Sequence, residues 1–547
     1  MTYNLKTKNF FIKTLFQTFF IFLIFLLIIS CGSKKTKKIK DELTVNLGYE
    51  LQSIDPAIND ETYGFIYINH AFEGLLTKDI NGKIVGGSSD KWEISEDKLK
   101  YTFHIREDAK WSDGKKLTAD DFVYSYRRVV DPKTASPIAY LMYYIKNAKD
   151  INIGKKSIES LGVTAIDENT LTIELENPTL YFEDILASGG CYVPVREDII
   201  NKYGDNWTWN PESYIGNGAY KMTERKPDEL IAFELNTNYW DYKNQVAKKI
   251  NFVLIADEYI SLNAVRTGDV DFSINAPPIG EIESLIKENL MAISDIIGVY
   301  YLDLNNKDKT LSDKRVRKAL SLAIDRNYIV SNIGYGKLIA AESFIPPVVK
   351  GLEKSFREES SNFIIANNYS NNIIEAKKLL AEAGYPNGEN FPILEVKVSS
   401  GFYTTVLEAI QEMWKNNLNI DVVVRTEESK ITLPFRQSGK YQIARTSWTG
   451  DYNDPLTMLQ IMTSESDINY SGFSNERYDY LINFATTSTN EKDRMEALKE
   501  AEAILFEEMP IIPFIYRTDF LVVNPKLKNY IDDPLGRYRF NYAYIEE

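Results

Sequence analysis

The sequence predicts a mixed α/β protein, on three observations. Between Leu394 and Val424, an alternating stretch (Leu394, Val396, Val398) leads into a helical stripe (Val406, Leu407, Ile410, Met413, Trp414). A second alternating stretch (Ile420, Val422, Val424) follows it. Strand, helix and strand within about thirty-five residues make a βαβ unit, because parallel strands need a crossover. Elsewhere stretches of period two are interleaved with stripes of helical period. The chain has 547 residues, 44% of them hydrophobic, including 35 Tyr, 27 Phe and 7 Trp, which supplies a large core. That length allows two to four domains or one multi-lobed body.

The elements follow in order. Lys6, Lys8 and Lys13 precede an apolar run, Leu15 to Ile29, which is closed by Ser30-Cys31-Gly32. A charged segment, an apolar run and a small residue describe a secretory signal. Leu27 to Cys31 resembles the lipobox of bacterial lipoproteins, in which the Cys becomes the lipidated first residue. The expectation is therefore a signal peptide over 1–30 and a lipidated Cys31 with a polar tether over 31–42. Phe10 to Ile29 is also nearly long enough to span a bilayer. Lys34, Lys35, Lys37, Lys38 and Lys40 follow the run, so lysines on both sides leave no positive-inside signal. The position of Cys31 favours the lipoprotein. Cys191 is the one other cysteine, so a mature chain lipidated at Cys31 has no internal disulfide. Cys191 reads as a buried, small apolar residue.

Leu43 to Leu47 alternates as a strand and Leu51 to Pro56 turns the chain. Phe65 to Leu76 reads as an apolar helix. Lys100 to Ile105 alternates (Tyr101, Phe103, Ile105), and Ser112-Asp113-Gly114 is a turn. Thr118 is placed to cap a helix over Ala119 to Val130, with Asp121 completing a capping-box-like arrangement. Leu161 to Ala165 and Thr170 to Leu175 read as two strands joined by a turn. Gly216-Asn217-Gly218 is a tight turn, and Ala219 to Met222 begins a strand. Val316, Ala319, Leu320, Ala323 and Ile324 share a helical face, as do Ala376, Leu379, Leu380 and Ala383.

Composition excludes several functions. Beyond residue 30 the chain carries 60 basic against 78 acidic residues, a balance that disfavours nucleic acid. It holds 2 histidines, His70 and His104. With one cysteine left, a His/Cys zinc site within one chain is excluded, and no cofactor motif or phosphate loop appears. His104 lies in a strand-like run and reads as a satisfied core residue. Nothing in the spacing of the acids singles out a general acid and base, so no enzyme is expected.

One stretch concentrates chemistry: Ile443 to Pro455, IARTSWTGDYNDP. Arg445, Trp448, Asp451 and Tyr452 lie within eight positions, and Gly450 lets the backbone turn beside Asp451. It reads as a short loop presenting polar groups around an aromatic wall. Taken alone, it reads rather as a surface turn whose Asp caps a helix starting near Pro455.

Several stretches together resemble one family. Lys91 to Arg128 (KWEISEDKLKYTFHIREDAKWSDGKKLTADDFVYSYRR) is similar to the signature region of the extracytoplasmic solute-binding proteins of ABC importers, family 5, the peptide- and nickel-binding family. Asp131 to Pro137, Ile215 to Tyr220, Asn238 to Asp241, Arg315 to Asp325, Ala383 to Tyr385 and Ala444 to Pro455 match in the same order. The oligopeptide-binding members are the most similar. The resemblance implies a periplasmic-binding-protein-like fold of type II in its large three-lobed form, with ligand enclosed between two hinged α/β lobes. Lobe I would comprise 43–71, 201–299 and 521–547, lobe II 72–200 and lobe III 300–520.

The implied function is an extracytoplasmic, membrane-anchored lipoprotein receptor, a monomer, that binds short peptides and delivers them to an ABC permease. The peptide would add as a strand, which gives affinity without reading side chains. Asp451 would hold its N-terminal ammonium. Arg445 and Arg436 would take a carboxylate or a side chain, and Trp448 would form a wall. Tyr452, Tyr300 and Tyr301 would border the same pocket, with Asp60 and Tyr140 (or Tyr143) as further ligand-proximal positions. Ser429 stands where the family carries a Trp, and the family's disulfide near this motif has no cysteines here. Side-chain preference is where this chain departs. The same fold with another cargo (muropeptide, dipeptide or nickel chelate) and a surface adhesin or structural lipoprotein are the alternatives.

Overall fold

A computed structural model describes residues 39–399, 402–427 and 434–547. The expected signal peptide, Cys31 and Ser429 lie outside these residues. After the two-residue strand Ile39–Lys40 come Glu42–Asn46 (β1) and Gly64–Ala71 (α1). The helix expected to reach Leu76 stops early. Phe72 is extended, its N–H closing the helix on Ile68, and Leu76 already begins a short strand, Leu76–Lys78. His70 is the satisfied core histidine: its Nδ1 lies 2.6 Å from the Ile66 carbonyl oxygen and its Nε2 accepts from the Phe540 N–H at 3.0 Å. Burial pushes its imidazole down to about 4. His104, expected in that role, is half-exposed instead. Strand alternation turns Tyr101, Phe103 and Ile105 inward and His104 outward.

Ser89–Ile94 (β2), Lys100–Ile105 (β3), Val163–Ala165 (β4) and Thr170–Glu174 (β5) form an antiparallel sheet in the order β2-β3-β5-β4. Ala119–Val130 (α2) packs on β4 and β5. It starts at the capping box the sequence predicts, with Thr118 N–H donating to Asp121 Oδ2 at 2.9 Å. Arg128 in its last turn holds Asp55 bidentately at 2.8 and 2.6 Å, and Trp207 Nε1 donates to the same carboxylate at 2.9 Å. The Leu51–Pro56 turn is thereby pinned to α2.

The large sheet draws on Tyr220–Lys226 (β6), Leu230–Leu235 (β7), Lys249–Val253 (β8), Phe272–Ser273 (β9), Met291–Leu304 (β10), Leu394–Ser399 (β11), Val422–Glu427 (β12), Ile443–Thr449 (β13) and Ile511–Val523 (β14). With β1 they make a ten-stranded sheet, ordered β12-β11-β13-β10-β14-β9-β1-β8-β7-β6. The predicted βαβ unit is present: β11 and β12 pair in parallel and Phe402–Leu418 (α3) crosses between them.

β10 and β14, 14 and 13 residues long, run through both halves of this sheet. Met291–Asp295 pairs with Thr518–Val522 on the β1 side, and Val299–Asp303 pairs with Ile511–Tyr516 on the β13 side. Between them the register shifts, leaving Ile296 to Gly298 as a bulge opposite Arg517. Bulges re-aim the strand and its side chains. The sheet's two halves are thus joined by two strands whose ladder shifts register twice, at this bulge and again between Tyr300 and Tyr301.

Candidate functional site

The stretch Ile443 to Pro455 is not the loop the sequence suggests. Its first seven residues are strand β13, paired antiparallel with β10 so that Gly298 faces Thr449, Tyr300 faces Ser447 and Leu302 faces Arg445. Residues directly opposite share a face of the sheet. Arg445, Ser447 and Thr449 therefore share one face with Gly298 and Tyr300. Thr446 and Trp448 share the other with Val299, Tyr301 and Asp303.

On this second face the groups are committed to the protein. Arg436 Nε donates to Asp303 Oδ2 at 2.9 Å and its Nη1 to Thr446 Oγ1 at 2.8 Å. Asp303 is 2% exposed and also accepts from Tyr441 OH. Arg436 is thus an internal ion-pair partner, and the structure sets it on the opposite face of β13 from Arg445. Tyr301 is buried edge-on to Phe344. Trp448 is half-buried, its Nε1 donating to the Thr457 carbonyl at 2.8 Å.

The chain then turns at Gly450, and the reason for glycine is proximity rather than a left-handed conformation. A Cβ there would lie 2.6 Å from Ile297 Cγ2 and 2.8 Å from Thr457 Cγ2, and the Gly450 N–H donates to the Ile297 carbonyl at 2.7 Å. The turn is clamped to the β10 bulge. Asp451 follows. Its N–H donates to Thr457 Oγ1 at 2.9 Å, and its Oδ2 accepts from Tyr140 OH at 3.3 Å. Burial pushes its carboxyl up to about 6, with the positive charge of Arg537 opposing. Among the described residues Asp451 has no salt-bridge partner. Arg537 instead donates to the Ser188 carbonyl and lies over the Phe65 ring. Asp451 does not cap the short helix Leu456–Leu459; that helix has Pro455 at its N-terminal cap position, and it is Asp454, just before it, whose Oδ1 accepts from the Leu456 N–H at 2.9 Å.

The other sequence candidates sort as follows. Tyr140 meets Asp451, whereas Tyr143 donates elsewhere, to Asn152. Tyr452 is 1% exposed, its hydroxyl 2.8 Å from that of Tyr144 and its ring stacked on Tyr181 at 5.2 Å. It is a packing residue and does not face an open cleft. Asp60 is exposed. No hydrogen bond or ion pair ties Asp60 to these groups among the described residues. Cys191 is buried and unbridged.

On the first face, Arg445 stacks over the rings of Tyr403 at 3.6 Å and Tyr300 at 4.7 Å, and these two rings are 4.4 Å apart. Its Nε has no hydrogen-bond partner. Among the described residues it has no ion-pair partner either. Burial lowers the pKa of its guanidinium. Arg517 reaches the same face: its Nη1 donates to Thr449 Oγ1 at 2.6 Å. Tyr63, C-terminal to the Asp55 turn, is close enough for its hydroxyl to sense both Arg517 and Tyr300.

Tyr403, Arg517, Tyr63 and Arg537 were not singled out by sequence. Arg517 alone left a signal, the polar Arg517-Thr518-Asp519 interrupting the apolar run IIPFIY…FLVV. Among the described residues no cluster of His, Cys, Asp or Glu could hold a metal, and no helix is long and apolar enough to cross a membrane.

The family model described as bacterial extracellular solute-binding proteins, family 5 (middle), matches residues 83–470. The oligopeptide-binding protein OppA of Bacillus subtilis is 33% identical over 542 residues, covering 96% of this chain and 98% of that protein. The periplasmic murein peptide-binding protein MppA of Escherichia coli is 35% identical over 501 residues, 90% of this chain and 91% of that one. Among solved structures, the Escherichia coli murein tripeptide-binding protein superposes with a TM-score of 0.80 at 34% identity, over 94% of this chain and all (100%) of that one. Haemophilus influenzae OppA in complex with the peptide RPPGFSPFR gives a TM-score of 0.80 at 31% identity, with 94% and 100% covered.

Proposed function

The chain belongs to family 5 of the bacterial extracellular solute-binding proteins, and we propose that it is a membrane-tethered receptor that captures short peptides outside the cytoplasm and hands them to an ABC importer. Asp451 carries this reading. It is a carboxylate raised toward neutrality by burial, held by one long hydrogen bond from Tyr140, with no bonded cation among the described residues. A peptide ammonium is the complement of such a group, since a buried charge is stabilised by a close counter-charge. The relatives named for oligopeptides and for murein peptides support a peptide cargo.

In this reading lobe I comprises 43–71, 201–299 and 521–547, lobe II 72–200 and lobe III 300–520. Ligand lies between lobes I and III. The pocket uses Asp451, Tyr140, Tyr300 and Arg445, while Trp448, on the other face of β13, belongs with the scaffold. Cys31 carries the lipid, and the receptor acts as a monomer. Arg436, Tyr301 and Tyr452 serve the scaffold.

Calorimetry with a mixed pool of tri- to pentapeptides tests it. Free peptides bind the wild-type chain. Asp451→Ala costs about 3–5 kcal/mol, the penalty for removing one member of a buried charge pair. N-acetylation of the peptide costs a similar amount. Equal affinity for free and acetylated peptides would falsify the ammonium role.

A further inference from the structure

We propose that Tyr144 is a positioning residue of the ammonium site: it holds Tyr140 against Asp451 while touching no ligand itself. The inference rests on the peptide reading above and deepens it.

Two rigid pieces meet at Asp451. The first is the short turn Ala139–Met142 with the residues that follow it. Met142 is fully buried, the Tyr192 hydroxyl donates to the Leu141 carbonyl, and the Lys146 N–H donates to the Glu174 carbonyl at 2.9 Å. The second piece is the stretch from Asp451 to Leu459. Beyond the bond from Asp451 N–H to Thr457, it is gripped at Asp454 by Arg494, at 2.8 and 2.6 Å. Arg494 is itself buried, and its Nε donates to the Ala485 carbonyl at 2.9 Å. Each piece is anchored on its own side, so their alignment is set where they touch.

Among the described residues three hydrogen bonds join them. One is the bond from Tyr140 OH to Asp451 Oδ2, which is long at 3.3 Å and made by a side chain that is 37% exposed. The other two belong to Tyr144, four residues on. Its hydroxyl lies 2.8 Å from that of Tyr452 and donates to Gln460 Oε1 at 3.4 Å. A hydroxyl has one proton to give, so Tyr144 accepts from Tyr452. The ring of Tyr181 stacks on Tyr452 at 5.2 Å, meets Tyr144 edge-on at 5.7 Å and carries the Arg494 guanidinium at 4.5 Å. A hydrogen bond enclosed by buried rings is stronger than one open to water. The firm contact is thus at Tyr144 and the weak one at Tyr140, and the short turn between them passes the alignment of the first to the second. What Tyr140 supplies is a donor to the ionised carboxylate, the form a peptide ammonium requires. Asp451 also faces Arg537, whose charge favours the same form, and the Cys191 thiol, which burial pushes up to about 12. Both come from other segments, so loss of the Tyr144 hydroxyl acts on Asp451 through Tyr140.

The test uses the purified full-length chain in detergent and titration calorimetry across the range in which Asp451 titrates. The probes are tri-alanine and N-acetyl-tri-alanine, and the readout is the pH midpoint of the free-over-acetylated affinity ratio. In the wild type that midpoint lies at about 6. In Tyr140→Phe it rises by roughly half a unit or more, because a donor to the ionised carboxylate is gone. Tyr144→Phe, which keeps the ring and its packing, gives at least half that rise, and the double variant rises no further than Tyr140→Phe alone. Should Tyr144→Phe not fold, Tyr452→Phe breaks the same hydrogen bond from the other side and gives the same result. A merely structural Tyr144 weakens both probes equally and leaves the midpoint in place. That outcome, a smaller rise, a double variant exceeding Tyr140→Phe, or a Tyr140→Phe midpoint that does not move overturns the inference and leaves the peptide reading standing. A wild type with no preference for the free probe sinks the ammonium role, and one that binds neither probe sinks the peptide reading; the inference falls with either.

Discussion

At the scale of single residues, Asp451 makes the site's behaviour depend on pH. Burial raises its pKa from 3.8 to about 6. A carboxyl raised on folding favours the native state fully below its unfolded pKa, and that contribution is lost as pH rises through the folded value. The ligand-free chain thus loses stability between about pH 4 and pH 6 on account of this group. A peptide ammonium needs the ionised form, so the sign for binding is opposite. Affinity for free peptides is at a plateau above about pH 7 and falls toward tenfold per unit below about pH 6. Calorimetry from pH 5 to 8 checks this, and in Asp451→Asn the slope disappears. Asp451 and Arg445 stand out in the sequence because a cation, an aromatic and a carboxylate crowd into one short stretch, whereas Tyr140 meets Asp451 only through the fold, from 311 positions away. Arg436 was misplaced for a physical reason. Sequence spacing does not say that its guanidinium turns away from Arg445 to neutralise Asp303, a residue 133 positions distant.

At the scale of elements, local rules worked where the decisive contacts are local. Helix α2 begins at Thr118 because the capping box closes within three residues, and the β11–α3–β12 unit shows in its two periods. The stretch Ile443 to Thr449 was misread because a strand lined by cationic and polar side chains on one face lacks the clean alternation of a half-buried strand. Gly450 shows the same limit. Its role is a close approach to Ile297, which no local pattern reveals. Gly450→Ala forces that contact apart and costs about 1–3 kcal/mol by overpacking. A thermal melt reads the loss directly, and an unchanged midpoint would mean the turn is not clamped to the bulge.

At the scale of the whole molecule, the mixed α/β class followed from alternation and stripes, whereas lobe order and enclosure came from resemblance. The ten-stranded sheet joins strands from Glu42 to Val523, and pairings that distant leave no local trace. The proposed anchor belongs to this scale too, since it decides where the receptor works. Cys31→Ala abolishes incorporation of a palmitate analogue and moves the chain from the membrane fraction to the soluble one, which metabolic labelling and fractionation detect. Labelling that persists would refute the lipobox reading of Leu27 to Cys31.

The two strands through both halves of the sheet have a mechanical consequence. Two hydrogen-bonded strands side by side form a flat strap. Such a strap resists stretching and in-plane shear, because either would break its ladder, but it flexes readily across its thickness where the ladder is interrupted. The wider of its two interruptions lies at Ile296 to Gly298, with Gly450 clamped to it and Arg517 crossing it. If the halves of the proposed receptor swing about this interruption, Asp451 and Arg517 lie close to the axis. Groups near an axis sweep short arcs. The charges that would meet the ligand first keep nearly fixed spacing while the more distant walls travel, so recognition at the pivot can precede enclosure at the rim.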